Sequence, residues 1–110
     1  MSTMLTEDYI RANLDKIDWN IVSTRKYLSE DFIREFQDKV HWEYISIRQK
    51  LSENFIREFQ DKIDWCYISY NQKLSEDFVI EFIDKLDIDN ILRYQALDQE
   101  TREYLLLLKG

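Results

Sequence analysis

Apolar residues recur along the chain at helical spacing, and the whole pattern returns every 23 residues. The pattern of each unit predicts two short helices, the first of which has one apolar side. In the two middle units this apolar side carries Phe32, Ile33, Phe36 and Val40, and then Phe55, Ile56, Phe59 and Ile63. Helices this short are marginal on their own in water. We therefore expect them to be held by stacking against neighbouring units.

The repeat is clearest in two consecutive segments, LSEDFIREFQDKVHWEYISIRQK and LSENFIREFQDKIDWCYISYNQK, which agree at 17 of 23 positions. Aligning on the leading leucine divides the chain into repeats 5–27, 28–50, 51–73 and 74–96, followed by a shortened fifth segment, 97–110. A fixed period of this length is typical of a solenoid. We expect one domain over residues 1–110, an all-α solenoid of short helical hairpins in which segment 97–110 forms a C-terminal capping helix.

Side-chain caps are expected to set the helix ends, because the chain has one glycine and no proline. The predicted N-caps are Ser29, Ser52 and Ser75 for first helices, and Asp18, His41, Asp64 and Asp87 for second helices. On the polar side of one first helix, Glu30, Arg34 and Asp38 stand four residues apart. This spacing predicts weak ion pairs within the helix.

The repeats also show which positions are constant, because every unit faces the same packing problem. A serine and a glutamine recur on the inner side of the second helix, at Ser23, Ser46 and Ser69 and at Gln49, Gln72 and Gln95. We expect these side chains to form a polar ladder between units. A buried catalytic serine is the alternative, but no histidine is placed to serve it.

The outward positions of the second helices vary from unit to unit, as they do on a recognition surface carried by a repeat scaffold. Tyrosine, isoleucine and arginine together are typical of binding hot spots. The expected partner-binding residues are Tyr44, Ile47, Arg48, Tyr67, Tyr70 and Asn71. For Tyr44 and Tyr67, covering the joint between units is an equally good reading. This surface predicts a non-catalytic protein–protein interaction module.

The net charge of −7 argues against direct binding to nucleic acid or an anionic membrane. The fourth repeat is the most acidic, with six acidic and two basic residues, and its expected acidic patch is Glu76, Asp77, Glu81 and Asp84. A solvated helix face is the ordinary reading of this patch. The alternative is an acidic inhibitor that mimics nucleic acid and blocks a host nucleic-acid-binding or defence protein, as anti-CRISPR proteins do.

Catalytic and metal-binding chemistry is sparse, so we expect neither an enzyme nor a cofactor or metal. His41 is the single histidine. Cys66 is the single cysteine, and the absence of a disulfide partner favours a reducing, cytoplasmic setting. The longest apolar run, Leu105–Leu108, is too short to span a membrane. Leu105 and Leu108 are expected to seal the core, leaving Leu106 or Leu107 outside. The exposed leucine predicts either a homo-oligomer contact or a tolerated surface residue.

The unit LSEDFI followed by DW-x-x-IS-x-x-Q resembles a short tandem repeat of uncharacterised proteins from giant viruses, phages and bacteria. The resemblance covers Leu5 to Ala96 and is weaker in the fourth repeat, where Ile88 replaces the tryptophan and Leu92 the serine. It implies a viral or mobile-element origin, and host cytoplasm as the location if viral, more than it implies a mechanism. Besides the interaction module and the acidic inhibitor, the third function that this sequence allows is that of a self-assembling structural rod.

Overall fold

The computed structural model describes residues 6–25 and 28–109. Within these ranges the chain forms nine α-helices and one 3₁₀ turn, Leu14–Lys16, and no strand. The helices are α1 (Glu7–Ala12), α2 (Trp19–Ser23), α3 (Glu30–Glu35), α4 (Trp42–Arg48), α5 (Glu53–Glu58), α6 (Trp65–Asn71), α7 (Glu76–Glu81), α8 (Ile88–Tyr94) and α9 (Gln99–Lys109). The predicted all-α repeat array is confirmed. The expected repeat start at Leu5, the last two residues of repeat 5–27, and Gly110 lie outside the described residues.

The helices form two layers along a rod of 52 × 28 × 18 Å. The second helices of the four units, α2, α4, α6 and α8, stack on one another, and α9 packs on α8. The first helices, α1, α3, α5 and α7, form the other layer. The array is therefore an elongated solenoid whose backbone contacts are densest in the second-helix layer.

The predicted serine caps open the first helices. The Oγ atoms of Ser29, Ser52 and Ser75 accept hydrogen bonds from the backbone N–H groups three residues later, at 3.0–3.1 Å. A phenylalanine such as Phe36 follows each of these helices as its C-cap, with φ −110° and ψ 31° at Phe36. This backbone conformation lies outside the left-handed region, so the turn needs no glycine.

Phenylalanine and tryptophan join successive units into one core. Phe32, Phe55 and Phe78 are fully buried or nearly so. The indole ring of Trp42 packs on the rings of Phe55 and Phe59 in the next unit, with ring centroids 6.3 and 5.2 Å apart. Each such buried phenylalanine contributes about 1.5–3 kcal/mol. Stacking thus supplies the stability that these short helices lack alone.

The predicted ion pairs of Arg34 with Glu30 and with Asp38, four residues to either side, are wrong. Arg34 instead pairs with Asp31 at 2.6 Å and with Glu58 of the next unit at 2.8 Å. Glu30 accepts a hydrogen bond from the backbone N–H of Ser52, again in the next unit, at 2.6 Å. The reason is that α3 ends at Glu35, so Asp38 lies beyond the helix, while stacking brings the neighbouring unit within reach.

The last helix, α9, caps the array as predicted, although not with all the leucines expected. Leu105 is fully buried, and Arg102 donates from Nη1 to the backbone carbonyl of Leu92 at 2.9 Å. The equivalent carbonyl in the preceding unit, that of Ser69, accepts from a glutamine. The expectation that Leu108 seals the core is wrong, because this side chain is 49% exposed. α9 is the last described helix, so no following helix covers this side chain.

Candidate partner-binding surface

The constant serines are fully buried and link each second helix to the next unit. Ser46 donates from Oγ to the Trp42 carbonyl at 2.8 Å and accepts from the backbone N–H of Asp64 at 2.9 Å. Ser23 and Ser69 make the corresponding bonds. The hydroxyl is therefore used on both sides, and the predicted ladder is confirmed for the serines.

The constant glutamines complete this ladder. Gln72 donates from Nε2 to the Gln49 carbonyl at 2.6 Å, and its Oε1 accepts from the backbone N–H of Leu51 at 3.0 Å. Gln95 repeats this arrangement one unit later, with Gln72 and Leu74. The Gln72 side chain is buried, so these bonds satisfy backbone groups that water does not reach. The glutamines are scaffold rather than a binding site.

On the first-helix layer, charged side chains connect the units at the surface. The pairs are Arg11–Glu35, Arg34–Glu58 and Arg57–Glu81, at 2.8–3.0 Å. The hydrogen bond from Arg34 lowers the pKa of the Glu58 carboxyl below its ordinary value, and Arg57 does the same to Glu81. Ile80 takes the next arginine position and Tyr104 the next glutamate position, so the series ends at the last junction.

The variable outward residues of α4, α6 and α8 lie together on the other layer. Tyr44 stacks on the His41 ring with centroids 4.2 Å apart. Tyr70 lies between Tyr67, at 5.7 Å, and Tyr94 of the next unit, at 5.5 Å. These contacts make an aromatic group that crosses the boundary between two units. We call the residues Tyr44, Ile47, Tyr67, Tyr70 and Tyr94 the tyrosine face.

The six partner-binding residues expected from the sequence differ in their freedom. Tyr44, Ile47, Tyr67 and Tyr70 are half-buried, and Arg48 is exposed. Asn71 donates from Nδ2 to the Ser46 carbonyl at 3.2 Å and to the Ile47 carbonyl, so its amide helps to join α4 and α6. Each tyrosine ring is packed on one side and reaches solvent on the other. Covering the joint between units therefore leaves part of the ring free for a partner.

One contributor to this face was missing from the residues expected to bind. Tyr94 is 55% exposed and touches Tyr70, although it occupies the repeat position that Asn71 holds one unit earlier. Stacking offsets the units so that neighbouring positions meet. The signal available in the sequence was the tyrosine itself, at an outward position of α8.

The local charge around the face is mixed. The Glu43 carboxylate is the largest cause of a raised pKa at the Tyr67 hydroxyl. At the opposite ends of the second helices, Arg48 and Arg93 are exposed in the last turns of α4 and α8. The face therefore offers aromatic rings between an acidic edge and a basic edge.

The four carboxylates of the expected acidic patch are not equivalent. Glu76 accepts from the Thr101 hydroxyl and, at 3.4 Å, from the Asp98 backbone N–H, and Glu81 is paired with Arg57. Asp77 and Asp84 differ from these two, because within the described ranges neither forms an ion pair with a residue of another unit. Two of the four residues thus take part in contacts between units, and Arg57 offsets the charge of Glu81.

His41 and Cys66 occupy the positions that the sequence indicated. His41 caps α4, its Nδ1 accepting from the Tyr44 backbone N–H at 3.4 Å, and the Cys66 thiol is exposed on α6. In residues 6–25 and 28–109, no three His, Cys, Asp or Glu side chains cluster in a way that suits a metal ion.

Comparisons with protein-family models, with curated proteins and with solved structures gave no match to this chain. No helix within the described part of the chain is both long and apolar enough to cross a membrane.

Proposed function

We propose that the chain is a non-catalytic protein–protein interaction module that binds its partner through the tyrosine face. The observation that carries this proposal is the aromatic group of Tyr67, Tyr70 and Tyr94, which crosses a unit boundary and keeps its edges in solvent. The repeat itself does not require tyrosine there, because the first unit holds Ile21, Thr24 and Arg25 at the same positions. A residue kept for stacking would recur in every unit.

The physical basis of binding is the burial of rigid aromatic surface at a small entropic cost. Tyrosine has few rotatable bonds and presents both an apolar ring and a hydroxyl, which is why it is enriched at interface hot spots. In this chain the rings already contact one another, so a partner meets a surface that is largely preorganised. The resemblance of the repeat supports a viral or mobile-element origin and hence a host protein as partner.

An affinity capture with matched variants tests the proposal. The tagged chain is incubated with nuclease-treated lysate of a phage or virus host, at 0.15 M and 1 M NaCl. The surface variant carries Tyr67→Ser and Tyr70→Ser, and the control carries Tyr9→Ser and Tyr104→Ser, which alters two exposed tyrosines on other helices. Circular dichroism establishes that all three chains are folded.

We expect one protein to be captured by the native chain and the control at both salt concentrations, and to be lost with the surface variant. Apolar contacts persist at high salt, whereas screening weakens pairs of exposed charges. Capture that survives the surface variant but fades at 1 M NaCl contradicts the proposal and favours the acidic patch as the binding site.

A further inference from the structure

Two equivalent grooves lie one repeat apart along the C-terminal ends of the second helices. The first, of about 480 Å³, is lined by Leu28, Ile47, Arg48, Gln49, Lys50, Asn71 and Gln72. The second, of about 260 Å³, is lined by Tyr70, Asn71, Gln72, Lys73, Tyr94, Gln95 and Ala96. Most of the lining corresponds by repeat position, with Ile47 matched by Tyr70 and Lys50 by Lys73. The grooves therefore form a periodic feature at one edge of the tyrosine face.

This edge is basic in a chain that is otherwise acidic. The segments 47–51, 70–74 and 93–97 contain four lysines and arginines and no acidic residue, while the whole chain carries a net charge of −7. Arg48, Lys50, Lys73 and Arg93 belong to these segments and lie within the described ranges. We call these four side chains the basic edge.

The basic edge is not used in stacking as the arginines of the other layer are. In the described ranges, no carboxylate lies within 4.0 Å of the cationic nitrogens of these four residues, whereas Arg11, Arg34 and Arg57 are each paired with the next unit. The helix dipole accounts for a positive charge in the last turns of α4 and α8. Lys50 and Lys73 lie beyond the helix ends, so the dipole gives less reason for them.

The floors of the grooves offer few free hydrogen-bonding groups. The amides of Gln72 and Gln95 are bonded to backbone groups of the neighbouring units. Recognition of a ligand therefore falls to the rims, which carry cations and the rings of Tyr70 and Tyr94. Such a rim favours a ligand peptide that carries carboxylates and whose other side chains are apolar.

The spacing of the grooves fits an extended peptide. Stacked helices lie about 8–10 Å apart. A peptide in the extended polyproline II conformation advances about 3.1 Å per residue and has three residues per turn. Side chains three residues apart therefore lie on the same side of such a peptide and reach successive grooves. A nucleic-acid duplex meets a less favourable surface, because the acidic residues of the first-helix layer oppose a polyanion of that size.

We propose that the basic edge binds an extended acidic segment of the partner protein, with carboxylates three residues apart beside Lys50 and Lys73. The inference rests on the proposed function, since it names the chemistry of the partner that the tyrosine face binds. The tyrosine rings contact the apolar side chains between the carboxylates.

The test measures the binding of three fluorescein-labelled probes by anisotropy at 50 mM NaCl. They are the peptide (Glu-Leu-Ser)₄, its counterpart (Lys-Leu-Ser)₄, and a twelve-residue oligothymidylate. The edge variant carries Lys50→Glu and Lys73→Glu. The control carries Lys39→Glu and Lys85→Glu, which makes the same change in net charge at exposed lysines that follow first helices.

We expect the native chain to bind the glutamate peptide more tightly than the lysine peptide. The edge variant should weaken binding of the glutamate peptide at least tenfold, and the control should weaken it less than threefold. Failure of the native chain to bind this peptide, equal weakening by edge variant and control, or tighter binding of the oligothymidylate overturns the inference.

The affinity capture separates this inference from the proposed function. If the partner is lost with the tyrosine variant and kept with the edge variant, the interaction module stands and the acidic segment is wrong. If the captured partner is kept with both variants, both proposals fail.

Discussion

Gln72 donates from its buried side-chain amide to the backbone carbonyl of Gln49 at 2.6 Å, joining two successive repeats through equivalent residues. The same amide accepts from the Leu51 backbone N–H, so one side chain closes the connection between α4 and α5. The scaffold thus uses a polar residue at the joint between its units. Its energetic importance is that the backbone groups it satisfies have no access to water.

Replacing this amide by an apolar side chain of similar size is expected to destabilise the fold strongly. Gln72→Leu leaves the Leu51 N–H and the Gln49 carbonyl unpaired, at about 1–3 kcal/mol each. We expect the free energy of unfolding, measured by urea denaturation, to fall by about 2–6 kcal/mol. Gln99→Leu is the control, because Gln99 is exposed and its side chain bonds to Glu103 on the same helix. Equal effects of the two substitutions would show that the ladder adds nothing.

The Arg34–Glu58 pair is expected to make stability depend on pH. Arg34 lowers the pKa of Glu58 in the folded chain, so its stabilisation is complete above the unfolded carboxyl pKa of roughly 4.3. It is lost as the pH falls through the lower folded pKa, because the unfolded chain then binds the proton first. Glu58→Gln should therefore flatten the loss of stability on acidification through this range, as measured by urea denaturation at a series of pH values.

The Arg34→Met background is the control for this effect. There, Glu58→Gln should alter the pH dependence much less, because the partner that lowers the carboxyl pKa is gone. If Glu58→Gln has the same effect in that background as in the native chain, the pH dependence belongs to another interaction of this carboxylate.

The series of arginine–glutamate pairs between units can be extended by mutation to the junction between the fourth unit and α9. Ile80 and Tyr104 occupy the next arginine and glutamate positions, and both are more than 40% exposed. We expect Ile80→Arg with Tyr104→Glu to raise the melting temperature at 50 mM NaCl above the sum of the single changes. The gain should disappear at 1 M NaCl, because exposed ion pairs are screened. A gain that is additive, or insensitive to salt, contradicts pairing across the last junction.

Two neighbouring leucines of α9 should differ sharply in their effect on stability. Leu105 is fully buried and Leu107 is 80% exposed. Leu105→Ala should lower the free energy of unfolding by about 2–5 kcal/mol through lost burial and a cavity, and Leu107→Ala should change it by less than about 0.5 kcal/mol. Urea denaturation compares them. A large effect at Leu107 would indicate that this leucine is covered in solution, and sedimentation would then show a homo-oligomer.

The Tyr67 hydroxyl reports on the acidic edge of the tyrosine face. Glu43→Gln removes the charge that contributes most to its raised pKa, so this pKa should fall toward its ordinary value. NMR titration of ¹³Cζ-labelled tyrosine, assigned with Tyr67→Phe, measures the change. Asp89→Asn, at the equivalent position of the fourth unit, should have a smaller effect. An equal effect of both substitutions would mean that net charge, rather than the neighbouring carboxylate, sets the pKa.

The candidate site was only partly predictable from the chain. The outward positions of Tyr44, Tyr67 and Tyr70 follow from the helical period, and each of these side chains keeps part of its surface in solvent. The contact between Tyr70 and Tyr94 does not follow, because these residues occupy different positions of the repeat. The hydrogen bonds from the Asn71 amide to the Ser46 and Ile47 carbonyls do not follow from the helical period either, because stacking brings those carbonyls to it.

The helical units, their caps and the buried Ser–Gln ladder follow from the chain alone, because period and polarity are local properties that every repeat restates. The stacking of the units sets which charges pair between them, how the tyrosines meet, and which leucine of α9 seals the end. Those outcomes depend on the offset and rotation between stacked units. The sum of many weak contacts fixes that geometry, and no short segment encodes it alone.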